Sequence, residues 1–321
     1  MQEALALVAD VGRLSVRFGL TGGEQGFGPR EVRRYMTAEH STFTSALIDY
    51  LRDCGLENRQ LPSVLAVAGV ARGDLINLTG SRWYISLAGI EAVLRERPYA
   101  LNECTAKALA LTRLPPSAFA SLPGPKTKPL VPGGNFVVIG TGTGLGVSAL
   151  ITAGDRLVPV QTEAGHMGFT PETKDEERFA ALCAGRGQAL DVEVLLSAQG
   201  LVTAYEALSG GRRIGSPEEV TRNTGRDPIA DQVTRMVAEA LGAFAGDLAL
   251  AYGAWDGIFL TGPIARALQL QLSQPGFRRR LENKAAFRRQ LGEIPVSIVT
   301  QTDLELIGAA AAIELFGASM H

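Results

Sequence analysis

The sequence predicts a two-lobed α/β protein. Short apolar runs of strand length alternate with longer segments whose apolar residues recur at helical spacing, and this alternation is typical of parallel or mixed sheets covered by helices. A pattern of strand, glycine turn and strand occurs twice. Six of the 16 prolines lie between Leu114 and Gly134, a density that excludes a helix or a central strand there. This proline-rich segment is expected to be a domain junction or a long surface excursion.

The composition fits a globular protein of this size. The chain has 321 residues, of which 46% are hydrophobic and 20% charged, and its formal net charge is −2. Such a chain can bury a core and is not disordered, and its length exceeds that of one small module. The balanced charge argues against a polyanion-binding protein, because there is no overall basic field to release counterions.

Cysteine and histidine usage argues against disulfides and zinc. Cys54, Cys104 and Cys183 stand far apart without a CxxC pair, and the chain has 3 histidines, so neither a disulfide framework nor a structural zinc site is expected. The N-terminal residues lack the basic region of a signal peptide. No apolar run reaches the ~18 residues of a membrane span. We therefore expect a soluble cytoplasmic protein.

The first lobe opens with the first of the two strand–turn–strand patterns. An apolar run over 4–9 is followed by the turn Asp10-Val-Gly12-Arg13 and by alternating residues over 14–20. Asp10 would lie at the end of its strand, where ligands bind in α/β sheets, and its carboxylate could reach Mg²⁺ directly or through water. The structural alternative is an Asx turn, in which Asp10 bonds its own backbone.

Three further elements are predicted in this lobe. Ser41 and Gly55 delimit a helix over 41–54, a buried strand follows over 62–70, and a helix covers 102–112.

The start of the last helix has two interpretations. Asn102 can cap the helix while Glu103 complements its dipole, which is a complete structural role. Alternatively, the Asn102 amide binds a substrate hydroxyl and Glu103 is a general base.

The second lobe carries the strongest chemical signal. A strand over 135–139 leads into Gly140-Thr-Gly-Thr-Gly-Leu-Gly146, and another extended run follows over 147–152. The glycines let backbone N–H groups turn toward one point, and the hydroxyls of Thr141 and Thr143 add donors, which suits a phosphate. The Walker lysine is missing, and a strand rather than a helix follows. A flexible turn is the alternative. Two glycine hairpins on two lobes suggest a nucleotide held in a cleft between them.

Two further groups of polar residues could bind hydroxyls. Glu163 and His166 lie in a loop around Gly165, where one side chain accepts hydrogen bonds and the other can donate or accept; a surface turn is the alternative. Glu193 places a carboxylate in a strongly apolar predicted helix, and this carboxylate needs hydrogen-bond donors if it is buried. Further predicted helices cover 175–183, 188–197, 199–209, 228–253 and 305–316, and strands cover 258–261 and 296–300.

A basic run lies near the C-terminal end of the chain. Arg278, Arg279 and Arg280 are followed by Lys284, Arg288 and Arg289. The run is expected to form the solvated face of one helix.

These motifs resemble those of the bacterial ATP-dependent glucokinases of the hexokinase/actin-like ATPase superfamily, in the group that lacks a zinc motif. The resemblance runs nearly end to end, and its most specific part is the glycine loop with Glu-x-Gly-His downstream. The segments that carry it are Asp10-Val-Gly12, Leu101-Asn-Glu-Cys-Thr-Ala106, Gly140–Gly146, Glu163-Ala-Gly-His166, Leu196–Val202, Phe259-Leu-Thr-Gly262 and Ile307-Gly308.

The resemblance implies a fold, a reaction and partners. The fold would be a two-lobed, ribonuclease H-like actin-like ATPase fold with an interlobe cleft, comprising a small domain (1–112 plus about 301–321) and a large domain (113–300). The reaction would be phosphorylation of the glucose 6-hydroxyl by ATP with Mg²⁺, in glycolysis. The protein would be a cytoplasmic homodimer without nucleic-acid or membrane partners.

The resemblance also implies a role for each matching residue. Glu103 falls where the family has its aspartate base. Asn102, Glu163, His166 and Glu193 match sugar-binding positions; Asp10 and Gly12 match the first phosphate segment, with Asp10 holding Mg²⁺ through water; Gly140, Thr141, Gly142, Thr143 and Gly144 match the second, and Gly262 the adenosine segment.

Several positions depart from the family pattern. Arg13 and Leu14 replace a Gly and a Thr of Asp-x-Gly-Gly-Thr-Asn-x-Arg, and Glu103 is one methylene longer than aspartate. Gly80 stands where a sugar-contacting Asn is expected, and Pro263 replaces a Gly. Three functions therefore stay open, namely a hexose kinase, a catalytically degenerate paralogue that binds sugar or nucleotide, and another phosphotransferase or ATPase on the same fold.

Overall fold

The chain folds into two compact units, Met1–Leu114 with Thr302–His321, and Pro115–Gln301. In the described part of the chain, no helix is long and apolar enough to cross a membrane. The computed structural model describes residues 5–23, 26, 28–69, 73–78, 81, 83–128 and 130–316.

The strands form one main sheet in each unit and one small hairpin. In chain order they are β1 (Ala6–Val11), β2 (Ser15–Thr21), β3 (Arg30–Met36), β4 (Ser63–Val67), β5 (Leu75–Asn77), β6 (Tyr84–Ser86), β7 (Tyr99–Asn102), β8 (Phe119–Ser121), β9 (Phe136–Thr141), β10 (Leu145–Ala153), β11 (Arg156–Thr162), β12 (Gly257–Thr261) and β13 (Val296–Val299).

The helices lie between and after these strands in the chain. They are α1 (Phe43–Asp53), α2 (Leu87–Leu94), α3 (Glu103–Ala110), α4 (Lys174–Gly185), α5 (Val192–Leu196), α6 (Ala198–Leu208), α7 (Pro217–Arg222), α8 (Pro228–Tyr252), α9 (Pro263–Ala267), α10 (Gln269–Leu272), α11 (Pro275–Leu281), α12 (Arg288–Gly292) and α13 (Leu304–Phe316).

The first unit is built on a sheet of order β3-β2-β1-β4-β7. β1 and β2 form an antiparallel hairpin that pairs Asp10 with Arg17, whereas β1, β4 and β7 run parallel. The carboxyl ends of these parallel strands therefore share one edge, which is where α/β sheets bind ligands. Helices α3 and α13 approach so closely that a Cβ on Gly308 would lie 1.7 Å from the Ala106 carbonyl oxygen.

The second unit is built on a sheet of order β11-β10-β9-β12-β13-β8. β9 and β10 form an antiparallel hairpin, and β12 runs parallel to β9 with Thr261 beside Gly140. The hairpin turn and the end of β12 therefore lie at the same edge. The buried, apolar helix α8 packs over this sheet and forms much of its core.

The predicted pattern of elements is largely confirmed. The helices predicted over 41–54, 102–112, 199–209, 228–253 and 305–316 correspond to α1, α3, α6, α8 and α13. The helix expected over 188–197 is shorter, because Asp191 caps α5 only at Val192. The proline-rich segment contributes β8, an edge strand antiparallel to β13. Strands β3, β5, β6, β7, β8 and β11 and helices α2, α7 and α9 to α12 were not predicted.

The basic run was predicted wrongly as the solvated face of one helix. It is divided between α11 and α12. Arg280 is buried and pairs with the fully buried carboxylate of Glu176 at 3.2 Å. Arg278 donates to the backbone carbonyls of Pro123 and Ile294. Both arginines therefore belong to the core and to loop anchoring in the second unit.

Candidate active site

In the first unit, Asn102 stands at the shared edge of the parallel strands. Its Oδ1 accepts from the backbone N–H of Cys104 at 2.8 Å and caps α3. Its Nδ2 donates to the Gly69 carbonyl at 3.2 Å, which ties the end of β7 to the segment after β4. The structural interpretation of Asn102 is therefore confirmed, and the amide keeps one further N–H for a ligand.

Asp10 lies inside β1 and faces Arg17 on β2. Its Oδ2 is 2.8 Å from Arg17 Nε and 2.7 Å from Nη2, so the Asx-turn alternative is wrong. Burial, and then the nearby carboxylate of Glu305, raise the pKa of Asp10 to about 6, although Arg17 opposes this rise. Gly12 closes the turn with a 3.0 Å hydrogen bond to the Ser15 carbonyl.

Glu103, the first residue of α3, lies in a series of ion pairs. Its Oε1 is 3.3 Å from Lys107 Nζ, one turn along the helix. Lys107 Nζ also lies 3.3 Å from Glu305 Oε1 on α13. Glu305 Oε2 is in turn 3.5 Å from Arg17 Nη2. The two candidate carboxylates of this unit, Asp10 and Glu103, are thus joined through Arg17, Glu305 and Lys107.

In the second unit, the glycine loop is shorter than predicted. Gly140 and Thr141 belong to β9, so Gly142, Thr143 and Gly144 form the turn. The Gly142 N–H donates to the Gly144 carbonyl at 2.9 Å. The Gly142 carbonyl accepts at 2.8 Å from the backbone N–H of Ala198, the first residue of α6. The turn is therefore fastened to the helix layer.

Thr141 braces the turn instead of pointing into it. Its buried hydroxyl donates to the Thr261 carbonyl at 3.1 Å and accepts from the Ala265 N–H at 2.9 Å. Gly262 lies between these contacts with φ 95°, and a Cβ there would be 2.0 Å from the Thr141 carbonyl oxygen. The Thr143 side chain, by contrast, is exposed. Pro263 occupies the first turn of α9, where its missing N–H costs nothing.

Glu193 reaches the same turn from α5. Its Oε2 accepts from the backbone N–H of Leu145 at 2.8 Å, which supplies the donor that a carboxylate in an apolar helix needs. A Cβ on Gly144 would lie 2.7 Å from this oxygen. A side chain at position 144 would therefore displace the Glu193 carboxylate, although φ at Gly144 is not positive.

Glu163 precedes a 3₁₀ turn over Ala164–His166 and His166 ends it, as the loop prediction indicated. His166 Nδ1 lies 3.0 Å from Asp191 Oδ2. This hydrogen bond is the main reason that the pKa of His166 is raised above its usual 6.5. Asp191 also caps α5 through Val194 N–H, at 2.9 Å. Sequence reasoning missed Asp191, although its N-cap position before an apolar helix was a usable signal.

The backbone of Leu145 brings these residues together. Its N–H bonds Glu193 at 2.8 Å, and its carbonyl lies 2.0 Å from where a Cβ on Gly165 would be. Glu193 and the turn that carries Glu163 and His166 therefore contact the first residue after the glycine turn. In the first unit, Asp10 and Glu103 share one charge network with Arg17, Lys107 and Glu305. Gly80 lies outside the described residues.

The Asp10 carboxylate is a ligand of the kind that Mg²⁺ prefers. Among the described residues, no group of three or more His, Cys, Asp or Glu side chains could hold a metal ion. Asp10 is a carboxylate whose described contacts use Oδ2. Mg²⁺ is usually bound by one or two carboxylates together with water and substrate phosphates, and one carboxylate at a sheet edge meets that requirement.

The comparisons with known proteins decide the family. The family profile described as Glucokinase matches residues 7–315. The chain belongs to the glucokinase family. The glucokinase of Stenotrophomonas maltophilia (strain K279a) is 34% identical to it over an alignment of 315 residues, which covers 95% of this chain and 93% of that protein. The resemblance inferred from the motifs is therefore confirmed.

Solved glucokinase structures share the fold. A glucokinase from an Antarctic psychrotroph superposes with a TM-score of 0.82 at 25% identity, covering 97% of this chain and 99% of that one. The glucokinase of Balamuthia mandrillaris in complex with glucose gives a TM-score of 0.82 at 18% identity, covering 96% and 93%. This glucokinase-family chain thus has the actin-like ATPase fold that was predicted.

Proposed function

We propose that this protein transfers the terminal phosphoryl group of ATP to a hexose, with glucose as the preferred sugar and its 6-hydroxyl as the acceptor. The observation that carries the proposal is the double contact at Leu145, which fixes Glu193 and the Glu163–His166 turn beside the glycine turn. Phosphoryl transfer depends mainly on positioning. Hydroxyl-binding side chains attached to a phosphate-binding turn suit that requirement.

Four side chains are proposed to bind the sugar. Glu163 and Glu193 offer acceptors, the His166 ring can donate or accept, and the remaining N–H of Asn102 is a donor. The His166–Asp191 hydrogen bond fixes the orientation of the imidazole. A site built to bond each hydroxyl discriminates strongly against analogues that lack one, because its own polar groups are then left unpaired.

The phosphates are proposed to bind backbone N–H groups in glycine-rich turns. In the second unit these belong to Thr143 and Gly144, with the Thr143 hydroxyl as a further donor, while the Gly142 N–H closes the turn on the Gly144 carbonyl. Gly140, Thr141 and Gly262 shape the turn and the adjoining adenosine segment. In the first unit, Gly12 and Asp10 form the other phosphate segment, and Asp10 would hold Mg²⁺, which when bound neutralises phosphate charge.

Glu103 is proposed to accept the proton of the attacking hydroxyl. It opens α3 directly after Asn102, so that the proposed base and a proposed sugar ligand are adjacent in the chain. A carboxylate in this role contributes on the order of 10²–10⁴-fold to the rate. The contribution of Glu103 depends on the orientation of its carboxylate as well as on its basicity.

Product analysis tests the proposal. The protein is incubated with Mg-ATP and, separately, glucose, mannose, galactose, fructose and 6-deoxyglucose, and phosphorus NMR follows the reaction. We expect glucose 6-phosphate and ADP with glucose, and no sugar phosphate with 6-deoxyglucose. ATP consumption without any sugar phosphate would contradict the proposal and favour an ATPase.

We also propose that the protein is a cytoplasmic homodimer that supplies glycolysis. Free thiols at Cys54 and Cys183 suit a reducing compartment, and family membership favours the dimer. Light scattering after size exclusion should give twice the chain mass of 34.0 kDa. A mass of 34.0 kDa over the micromolar range would contradict the dimer.

A further inference from the structure

The Glu103 side chain is one methylene longer than the aspartate that the family resemblance leads one to expect. The structure shows which residue holds its carboxylate in place. The Glu103 carboxylate extends along α3 to Lys107, and Glu103 Oε1 lies 3.3 Å from Lys107 Nζ. Residues four apart lie on one helix face, and a glutamate followed by a lysine is the favourable order for such a pair. The pair therefore restricts a side chain whose rotamers would otherwise leave the carboxylate in several positions.

Lys107 is itself held in place. Its side chain is only 16% exposed, and its Nζ lies 3.3 Å from Glu305 Oε1 as well. The carboxylates of Glu103 and Glu305 raise the pKa of Lys107 above its usual value despite burial, so the side chain is a cation at every relevant pH. Lys107 is thus a fixed positive charge between two carboxylates.

Helix packing sets the position of Glu305. Gly308 lies against Ala106 so closely that a Cβ at Gly308 would be 1.7 Å from the Ala106 carbonyl oxygen. Since Glu305 is one turn before Gly308, and Lys107 follows Ala106, this contact fixes Glu305 relative to Lys107. Arg17, 3.5 Å from the other Glu305 oxygen, completes the arrangement.

We propose that Lys107 is a positioning residue for Glu103 and that Glu305 is the anchor which orients Lys107. This inference rests on the proposed function, in which Glu103 is the base. Within the described part of the chain, Glu103 forms its ion pair through Oε1, so that Oε2 is the oxygen available to accept the hydroxyl proton. Lys107 orients this carboxylate without touching the substrate.

Kinetics of Lys107 variants test the inference in the full-length protein. We expect Lys107→Met to lower kcat by on the order of 10–10²-fold, the scale that a misplacement of ~1 Å can produce, with the KM for glucose changed less than about threefold. Lys107→Arg keeps the charge and should restore most of kcat. Arg113→Met is the matched control, because Arg113 also pairs with α13, at 2.5 Å from Glu314, and it should leave kcat unchanged.

A double-mutant cycle separates positioning from a general loss of stability. If Lys107 acts through Glu103, Glu103→Gln/Lys107→Met should be no slower than Glu103→Gln. If the losses in kcat of the two single variants multiply in the double variant, the inference is overturned. Full activity of Lys107→Met would overturn it as well. Should Lys107→Met fail to fold, Glu305→Gln replaces it in the same cycle. An inactive wild-type protein would overturn the proposed function and this inference with it, whereas an active wild type with an indifferent Lys107 overturns the inference alone.

Discussion

Glu193 accepts a hydrogen bond from the backbone N–H of Leu145 at 2.8 Å, and a Cβ on Gly144 would lie 2.7 Å from the same carboxylate oxygen. A residue that is proposed to bind sugar is thereby attached to the turn that is proposed to bind phosphate. The position of the Glu193 carboxylate therefore depends on the absence of a side chain at Gly144.

Gly144→Ala should therefore impair sugar binding. The added methyl group displaces the Glu193 carboxylate, and we expect the KM for glucose to rise about tenfold, the equivalent of one strong hydrogen bond to a charged group. The control is Gly185→Ala, because Gly185 has open space around its Cβ position. Steady-state kinetics with glucose check both variants, and an unchanged KM in Gly144→Ala would contradict the coupling.

Asp191→Asn should lower the pKa of His166. Asparagine can still cap α5, but it removes the charged partner at 3.0 Å whose hydrogen bond is the main cause of the raised pKa. Proton NMR of the His166 ring during a pH titration measures the shift directly. A titration midpoint that does not move toward lower pH would show that Asp191 does not tune this ring.

The same pair should contribute stability that depends on pH. Because the folded pKa of His166 lies above its usual value of 6.5, the contribution is fully present below pH 6.5 and is lost as the pH rises through the folded pKa. The melting temperatures of wild type and Asp191→Asn should consequently differ more at pH 5.5 than at pH 8. A difference that grows with rising pH would have the wrong sign.

Arg280→Met should destabilise the second unit strongly. It leaves the fully buried Glu176 without the guanidinium at 3.2 Å, and breaking one half of a buried pair costs about 3–5 kcal/mol. The neighbouring Arg279→Met is the control, since Arg279 is 66% exposed and pairs with Glu239 at the surface. Urea unfolding compares the two, and similar losses for both would show that the buried pair has no special role.

Thr141→Val should weaken the brace behind the glycine turn. Valine has nearly the same shape but leaves the Thr261 carbonyl and the Ala265 N–H without their partner. Unsatisfied buried groups of this kind cost about 1–3 kcal/mol each. Thr141→Ser retains the hydroxyl and should lose much less. Equal stability of the valine and serine variants in thermal unfolding would rule out this role for Thr141.

Sequence patterns predicted which segments form the candidate site, but they did not predict the contacts between those segments. Apolar periodicity and glycine turns found β1, β9, β10 and α3, because these signals are local. The contacts that assemble the site are not local: Glu193 reaches Leu145 across 48 positions, and Arg17 reaches Glu305 across 288. Thr141 illustrates the difference, since its hydroxyl suggested a phosphate donor, whereas the return of β12 beside β9 commits it to Thr261.

Some missed residues did carry readable signals. The Glu103–Lys107 spacing is a standard helical ion pair, and Asp191 precedes an apolar helix as an N-cap does. Arg280 could not be predicted as buried, since its partner Glu176 lies on α4 and only the packing of α11 brings the two together. Contacts between segments that are far apart in the sequence therefore determine that Arg280 is buried and not exposed to solvent.

The most direct test of the sugar-kinase proposal is turnover with glucose and Mg-ATP by wild type and Glu103→Gln, in an assay coupled to glucose 6-phosphate dehydrogenase, with glucose binding followed by calorimetry. We expect the wild type to turn over and Glu103→Gln to be slower by on the order of 10²-fold or more, while both bind glucose with similar affinity. Equal inactivity of the two proteins, with glucose still bound, would contradict catalysis and identify a sugar-binding protein instead.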